Sequence, residues 1–222
     1  MQRGIYLFPE FSPGALAAFS NREFEASRDQ SRFLESLGAL PERSCGIQQV
    51  HGDYVAVASK PFEGVKADGM VTRERNLPLL IRTADCVPVF FFDSKAAAVG
   101  ICHAGWRGAK KGIVARVLEI FKKEFGSDPA SILVAIGPAI RQMCYEVGEE
   151  FDDYFPGWVK REGNKRFLDL VGVIKKQLVD GGVRKERVID SNLCTVCSVD
   201  QFFSARSEGF KTGRFLSAIM LK

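Results

Sequence analysis

The chain has 222 residues, 46% hydrophobic and 26% charged, with a formal net charge of +4. That is enough chain for one sizeable core, and the composition is that of an ordinary globular protein, which excludes disordered and fibrous classes. The small, dispersed charge argues against a nucleic-acid track and suits anionic small molecules, and no apolar run approaches the ~20 residues of a bilayer span.

In chain order, short apolar runs at 4–8, 14–19, 46–50 and 53–58 predict strands. "RDQSRFLESLG" (28–38) has the spacing of a short helix, with Gly38 as its stop. "LPLLIRTADCVPVFFFD" (77–93) is two buried strands separated by a polar interruption, and "AAAVGIC" (96–102) fits a central strand. The strongest helix signal covers 109–125, where Ile113, Val117, Phe121 and Phe125 recur on one face. A strand at 131–138, a helix over 168–182 closed by Gly181 and Gly182, and a final strand at 214–222 follow. Strands outnumber helices without strict alternation, which predicts a mixed α+β fold in one domain over 1–222. The opening "MQRGIYLFPEF" meets acid and proline too early for a secretory signal, so the cytoplasm is the expected compartment. There, six cysteines read as reduced core residues, with one or two metal ligands or reactive thiols among them.

The chain has only two histidines, and both sit beside glycine or a glycine-rich turn where an apolar run breaks: His51 in "QQVHGDYVAV" and His103 in "GICHAGWRG". Cys86, in "RTADCVPVFF", holds a similar position between two strands. Imidazole nitrogen and thiolate sulfur are ligands that zinc favours, and separations of 35 and 17 residues suit delivery by three neighbouring strands rather than a finger. Three protein ligands leave one position open, as in catalytic zinc sites, where zinc lowers the pKa of a bound water. Asp85 beside Cys86 is placed to move a proton or orient a ligand, so Asp85 and Cys86 are the expected catalytic residues. In "HAGWRGAKKG", Gly105 and Gly108 permit a tight turn into a helix, and Arg107 offers a fork of donors for phosphate or carboxylate, unless it is simply solvated.

"QQVHG", "RTADCVPV", "HAGWRG", "IGPAI…CYEVG" and "FFSARSEGFKTGR" occur here in an order that resembles the YfiH-like family, also called polyphenol oxidase or laccase-like and later purine nucleoside phosphorylase. The motifs span roughly residues 46–216. The resemblance implies a four-layer α/β/β/α sandwich and a metal held by His51, Cys86 and His103. It also implies phosphorolysis of adenosine, inosine, guanosine and methylthioadenosine, with adenosine deamination as a second activity. A cytoplasmic amide hydrolase that edits peptidoglycan precursors is the alternative attached to the family. The chain departs from the family after its "FS-x-R" stretch, where "FSNREFEASRDQ" is short and members usually carry a longer glycine-rich segment.

A His₂Cys set also suits a mononuclear copper, so zinc is the expected cofactor with copper as its alternative. A multicopper laccase needs further coppers held almost wholly by histidine, and this chain has no third histidine. Cys102 directly precedes His103 and would point to the opposite face of a strand. The pair Cys194 and Cys197 in "CTVC" lacks histidine partners and reads as a core or loop feature, with redox activity as the second reading. The expected partners are a purine nucleoside and phosphate, the latter on Arg107 with Arg206 and Arg214 behind it; no nucleic acid and no membrane are expected.

Overall fold

The computed structural model describes residues 4–222. β1 (Ile5–Leu7) and β2 (Ala15–Ser20) pair antiparallel and lead to α1 (Gln30–Ser36). α1 stops at Gly38, which takes φ +72, while the N–H groups of Gly38 and Ala39 donate to the carbonyls of Glu35 and Leu34. β3 (Cys45–Gln48), β4 (Val55–Val57), β5 (Phe62–Lys66) and β6 (Gly69–Thr72) follow, then β7 (Leu79–Thr83), β8 (Val87–Asp93) and β9 (Ala98–Ala104). β5 and β6 were not anticipated from the sequence. β5 is a sheet edge with mostly exposed side chains, so it carries no apolar pattern.

The helix expected over 109–125 is in fact two helices. α2 (Trp106–Lys111) starts directly after β9, and Gly112 at φ +80 separates it from α3 (Ile113–Phe125). A left-handed residue ends a helix, and glycine takes that conformation at no steric cost. After β10 (Leu133–Ile136), the strands β11 (Glu146–Val147), β12 (Val159–Glu162) and β13 (Lys165–Leu168) form a small antiparallel sheet, with α4 (Phe151–Tyr154) between the first two. α5 (Leu170–Asp180) is capped by Asp169, whose carboxylate accepts the Gly172 N–H at 2.8 Å. β14 (Val188–Asp190), α6 (Ala205–Glu208) and β15 (Phe215–Leu221) complete the chain.

Two six-stranded mixed sheets carry the fold, in the orders β1-β2-β15-β7-β3-β5 and β14-β10-β8-β9-β6-β4. Strand alternation sets the packing. In β8, Phe90 and Phe92 point between the sheets, among Phe19, Ile81, Val99 and Ile219, whereas Phe91 packs toward α3 with Val117 and Phe121. In β7, Leu79 and Ile81 join the inter-sheet core, and Leu80 turns outward to Phe33 and Leu34 of α1. The buried clusters thus stack α1, the first sheet, the second sheet, and α3 with α5 in succession. Each fully buried Val, Leu, Ile or Phe stabilises this stack by roughly 1.5–3 kcal/mol. The chain crosses from the first sheet to the second between β3 and β4, between β5 and β6, and between β7 and β8. These crossings carry the site.

Candidate metal centre and its cavity

His51 lies in the crossing from β3 to β4, and Cys86 in the crossing from β7 to β8. Both crossings need sharp backbone turns, and non-glycine residues take positive φ there: His51 at 58° and Asp85 at 86°. His103 is the last residue but one of β9, next to the strand that Cys86 opens. The three side chains bring their ligand atoms within 4.8 Å of one another, and the two imidazole centroids are 4.8 Å apart with ring planes at 85°. Cys102 points the other way, into the core shared with α3.

Asp68, a residue the sequence reading did not single out, organises this arrangement. It is fully buried, and such a carboxylate is tolerated only when hydrogen-bonded. Its Oδ1 accepts the His51 N–H at 3.0 Å and faces His103 Nδ1 at 2.8 Å. Its Oδ2 accepts the N–H groups of Val50 at 3.2 Å and Gly52 at 2.6 Å. One side chain therefore shapes the His51 loop and fixes the His103 ring. Burial alone would raise its pKa, but the His103 contact and the backbone donors hold it below the usual carboxylate range. With Nδ1 committed to Asp68, Nε2 is the His103 nitrogen left for a ligand, the arrangement common behind metal-binding histidines. The available signal was an acid followed by glycine inside the otherwise apolar end of "GVKADGMV".

Cys86 and His103 each favour the charged form of the other. Burial acts to raise the thiol, but His103 and His51 overcome it and bring Cys86 down to about 6. Burial acts to lower His103, but the Cys86 thiolate and Asp68 overcome it and push the imidazole up to about 9. The sulfur is thus a thiolate at neutral pH, the form that binds metal.

The "HAGWRG" glycines are there for space. A Cβ on Gly105 would stand 3.0 Å from Cys86 Sγ and 3.3 Å from His51 Cδ2, and one on Gly108 would stand 2.9 Å from the Gly52 carbonyl oxygen. Larger residues would push the ligand loops off the turn. Trp106 stacks on Tyr154 with ring centroids 5.7 Å apart, anchoring α2 to α4.

The three side chains border a cavity of about 870 Å³, within the range of small-molecule sites. Arg107, Arg206 and Arg214 line it as expected, and so does Arg82. Their guanidinium groups differ. Arg107 lies 4.4 Å over the Trp106 ring and makes no hydrogen bond among the described residues. Arg206 donates to the Glu146 carbonyl at 2.8 Å and lies 5.3 Å over Tyr145. Arg214 commits its donors to the carbonyls of Phe210, Thr212 and Gly213, so it holds its own loop. Both Asp85 oxygens are engaged, by the Thr195 hydroxyl at 2.6 Å and the Arg206 N–H at 2.7 Å, which braces the Cys86 turn against the C-terminal loop. Tyr145 also faces the cavity, and burial together with the nearby Cys86 and Asp85 charges raises its pKa, so its hydroxyl stays a donor.

The family described as "Multi-copper polyphenol oxidoreductase laccase" matches residues 18–222. The chain belongs to that family. A purine nucleoside phosphorylase from Bacteroides thetaiotaomicron is 35% identical over 213 residues, covering 87% of this chain and 79% of the relative. Adenosine deaminase RL5, from an unknown prokaryotic organism, is 34% identical over 199 residues, covering 79% of this chain and 74% of the relative. The crystal structure of Bacillus licheniformis YfiH matches with a TM-score of 0.91 at 27% identity, covering 100% of this chain and 97% of that one. These relatives agree with the YfiH-like resemblance and the mixed α+β fold. They make the chain an enzyme of the polyphenol oxidoreductase laccase family, with a His/Cys group of metal-ligand type. Among the described residues, no helix is long and apolar enough to cross a membrane.

Proposed function

We propose that the chain is a zinc-dependent purine nucleoside phosphorylase with adenosine deaminase activity, acting on adenosine, inosine, guanosine and methylthioadenosine. The observation that carries this reading is the convergence of His51, Cys86 and His103, braced by Asp68, beside a cavity with an unengaged arginine. The names of the relatives supply the substrate class. Two imidazoles and a thiolate are a donor set that fits zinc, and these three residues would hold it. When bound, zinc supplies Lewis acidity and activation of water.

The chain's own groups supply the rest. Arg107 binds the phosphate that attacks the ribose carbon, and Arg206 supports it from α6. Tyr145, held neutral, presents its O–H to the departing purine, and Phe210 also lines the cavity. Asp85 keeps Cys86 in place through Thr195 and Arg206.

The test is product analysis on protein of measured metal content, incubated with adenosine with and without phosphate. Adenine with ribose 1-phosphate should require phosphate, inosine should not, and His103→Ala should abolish both. Zinc-loaded protein that forms neither product, yet cleaves an amide of a cell-wall precursor or oxidises a phenol when copper-loaded, overturns the proposal in favour of that chemistry.

A further inference from the structure

The structure brings a third thiol to the "CTVC" pair. Cys144, in the turn 142–144 before β11, sits against Cys194 and Cys197, and the three sulfurs lie within 4.8 Å of one another. The sulfurs of Cys144 and Cys197 are 3.4 Å apart. The sequence offered no reason to join residues about fifty positions apart. The fold joins them by an isolated parallel bridge between Ala139 and Cys194, with the Thr195 N–H donating to the Ala139 carbonyl at 3.2 Å. Cys197 is exposed and the other two are half-buried, so core packing does not account for the cluster.

We propose that Cys144, Cys194 and Cys197 form a second metal site, distinct from the His51–Cys86–His103 centre, that takes one zinc ion. A tetrahedral zinc with bonds of about 2.3 Å spaces its sulfurs about 3.8 Å apart, so these three need to move by only about 1 Å. The spread is too small for three ligands of an iron–sulfur cluster, whose cysteines bind different irons. The turn at Cys194 supports the assignment. The Ser198 N–H closes the turn onto the Cys194 carbonyl at 3.0 Å, which brings Cys197 back toward Cys194. A disulfide would use two of the three sulfurs and leave the third unpaired, whereas one ion takes all three. Water completes the tetrahedron on the exposed Cys197 side.

The site pins two loops of the active cavity. Tyr145 follows Cys144 directly, and Thr195 follows Cys194 and donates to Asp85 beside Cys86. Bound zinc therefore ties these two loops of the cavity together.

The test is zinc stoichiometry of the full chain, purified with reductant, by elemental analysis. The expected counts are two zinc ions in the wild type, one in Cys86→Ala, one in Cys194→Ser and none in the double variant. A wild type that holds a single zinc, unchanged in Cys194→Ser, overturns the proposal. Cys86→Ala retaining the full wild-type count instead refutes the histidine centre and leaves this one standing. A measurement on the wild type removes any dependence on variant folding. With zinc bound, Cys144, Cys194 and Cys197 should resist iodoacetamide despite the exposure of Cys197, and should react once a chelator is added. Alkylation of Cys197 at the same rate with and without zinc overturns the site, as does a Cys144–Cys197 disulfide found by peptide mapping of the reductant-purified protein.

Discussion

Asp68→Asn is the sharpest perturbation of the histidine centre. Each carboxylate oxygen serves two donors, Oδ1 those of His51 and His103 and Oδ2 those of Val50 and Gly52. Asparagine keeps one oxygen, and its amide nitrogen must then face two N–H groups. Two charge-assisted hydrogen bonds are lost, at roughly 1.5–3 kcal/mol each, a large share of a typical folding free energy of about 5–15 kcal/mol. Losing the carboxylate behind a ligating histidine should also weaken metal binding about 10–100-fold. Urea unfolding measures the first effect and competition with a zinc chelator the second, with the fold checked by circular dichroism. A third readout separates positioning from bulk stability. In metal-free protein, Cys86 should react with iodoacetamide with a midpoint at about pH 6. In the variant His103 loses its acidic partner, holds its proton less tightly and supports the thiolate less, so the midpoint should rise. Zinc affinity within about twofold of wild type, together with an unmoved Cys86 midpoint, would refute the claim that Asp68 sets the geometry of the centre.

Arg107→Ala should raise the phosphate concentration needed for adenine release by roughly ten- to a hundred-fold, from one lost contact of about 1.5–3 kcal/mol, while deamination falls less; equal loss of both rates across a phosphate titration contradicts the phosphate role. Gly108→Ala should cost about 1–3 kcal/mol in urea unfolding, because its Cβ meets backbone rather than a flexible side-chain end. Acid should unfold the protein through Asp68 and Asp190. Burial would raise the pKa of Asp190, but Arg141 and Lys175 hold it below the ordinary 3.8, as the His103 contact and backbone donors do for Asp68. Each depressed carboxylate contributes stability that is complete above its unfolded value and lost as pH falls through its folded one, so the urea midpoint should hold above about pH 5 and drop below about pH 4. Asp190→Asn should lower the midpoint at neutral pH and flatten the acid drop.

The three converging residues were legible because each sits where a buried run breaks, and the strands on either side carry clear apolar patterns. Asp68 was not, because its role depends on β6 lying beside β4 and β9, which brings a residue seventeen positions away under the His51 loop. The apolar spacing of 109–125 hid the break at Gly112, since the left-handed turn keeps Ile113 and Val114 buried. β12 and β13 escaped notice because "VKRE" and "KRFL" form a mostly exposed sheet with little apolar alternation. Cys144 could be joined to Cys194 and Cys197 only through the tertiary bridge at Ala139.

The central claim is that the His51–Cys86–His103 centre, loaded with zinc, performs the purine nucleoside chemistry. Its most direct test is adenine release from adenosine and phosphate, followed while chelator-stripped protein is titrated with zinc, in wild type and in Cys86→Ala. The wild type should regain phosphate-dependent adenine release in step with zinc uptake, and Cys86→Ala should stay inactive at every zinc level. Stripped protein that releases adenine at the full rate, or a Cys86→Ala variant that recovers with zinc as the wild type does, would contradict the account.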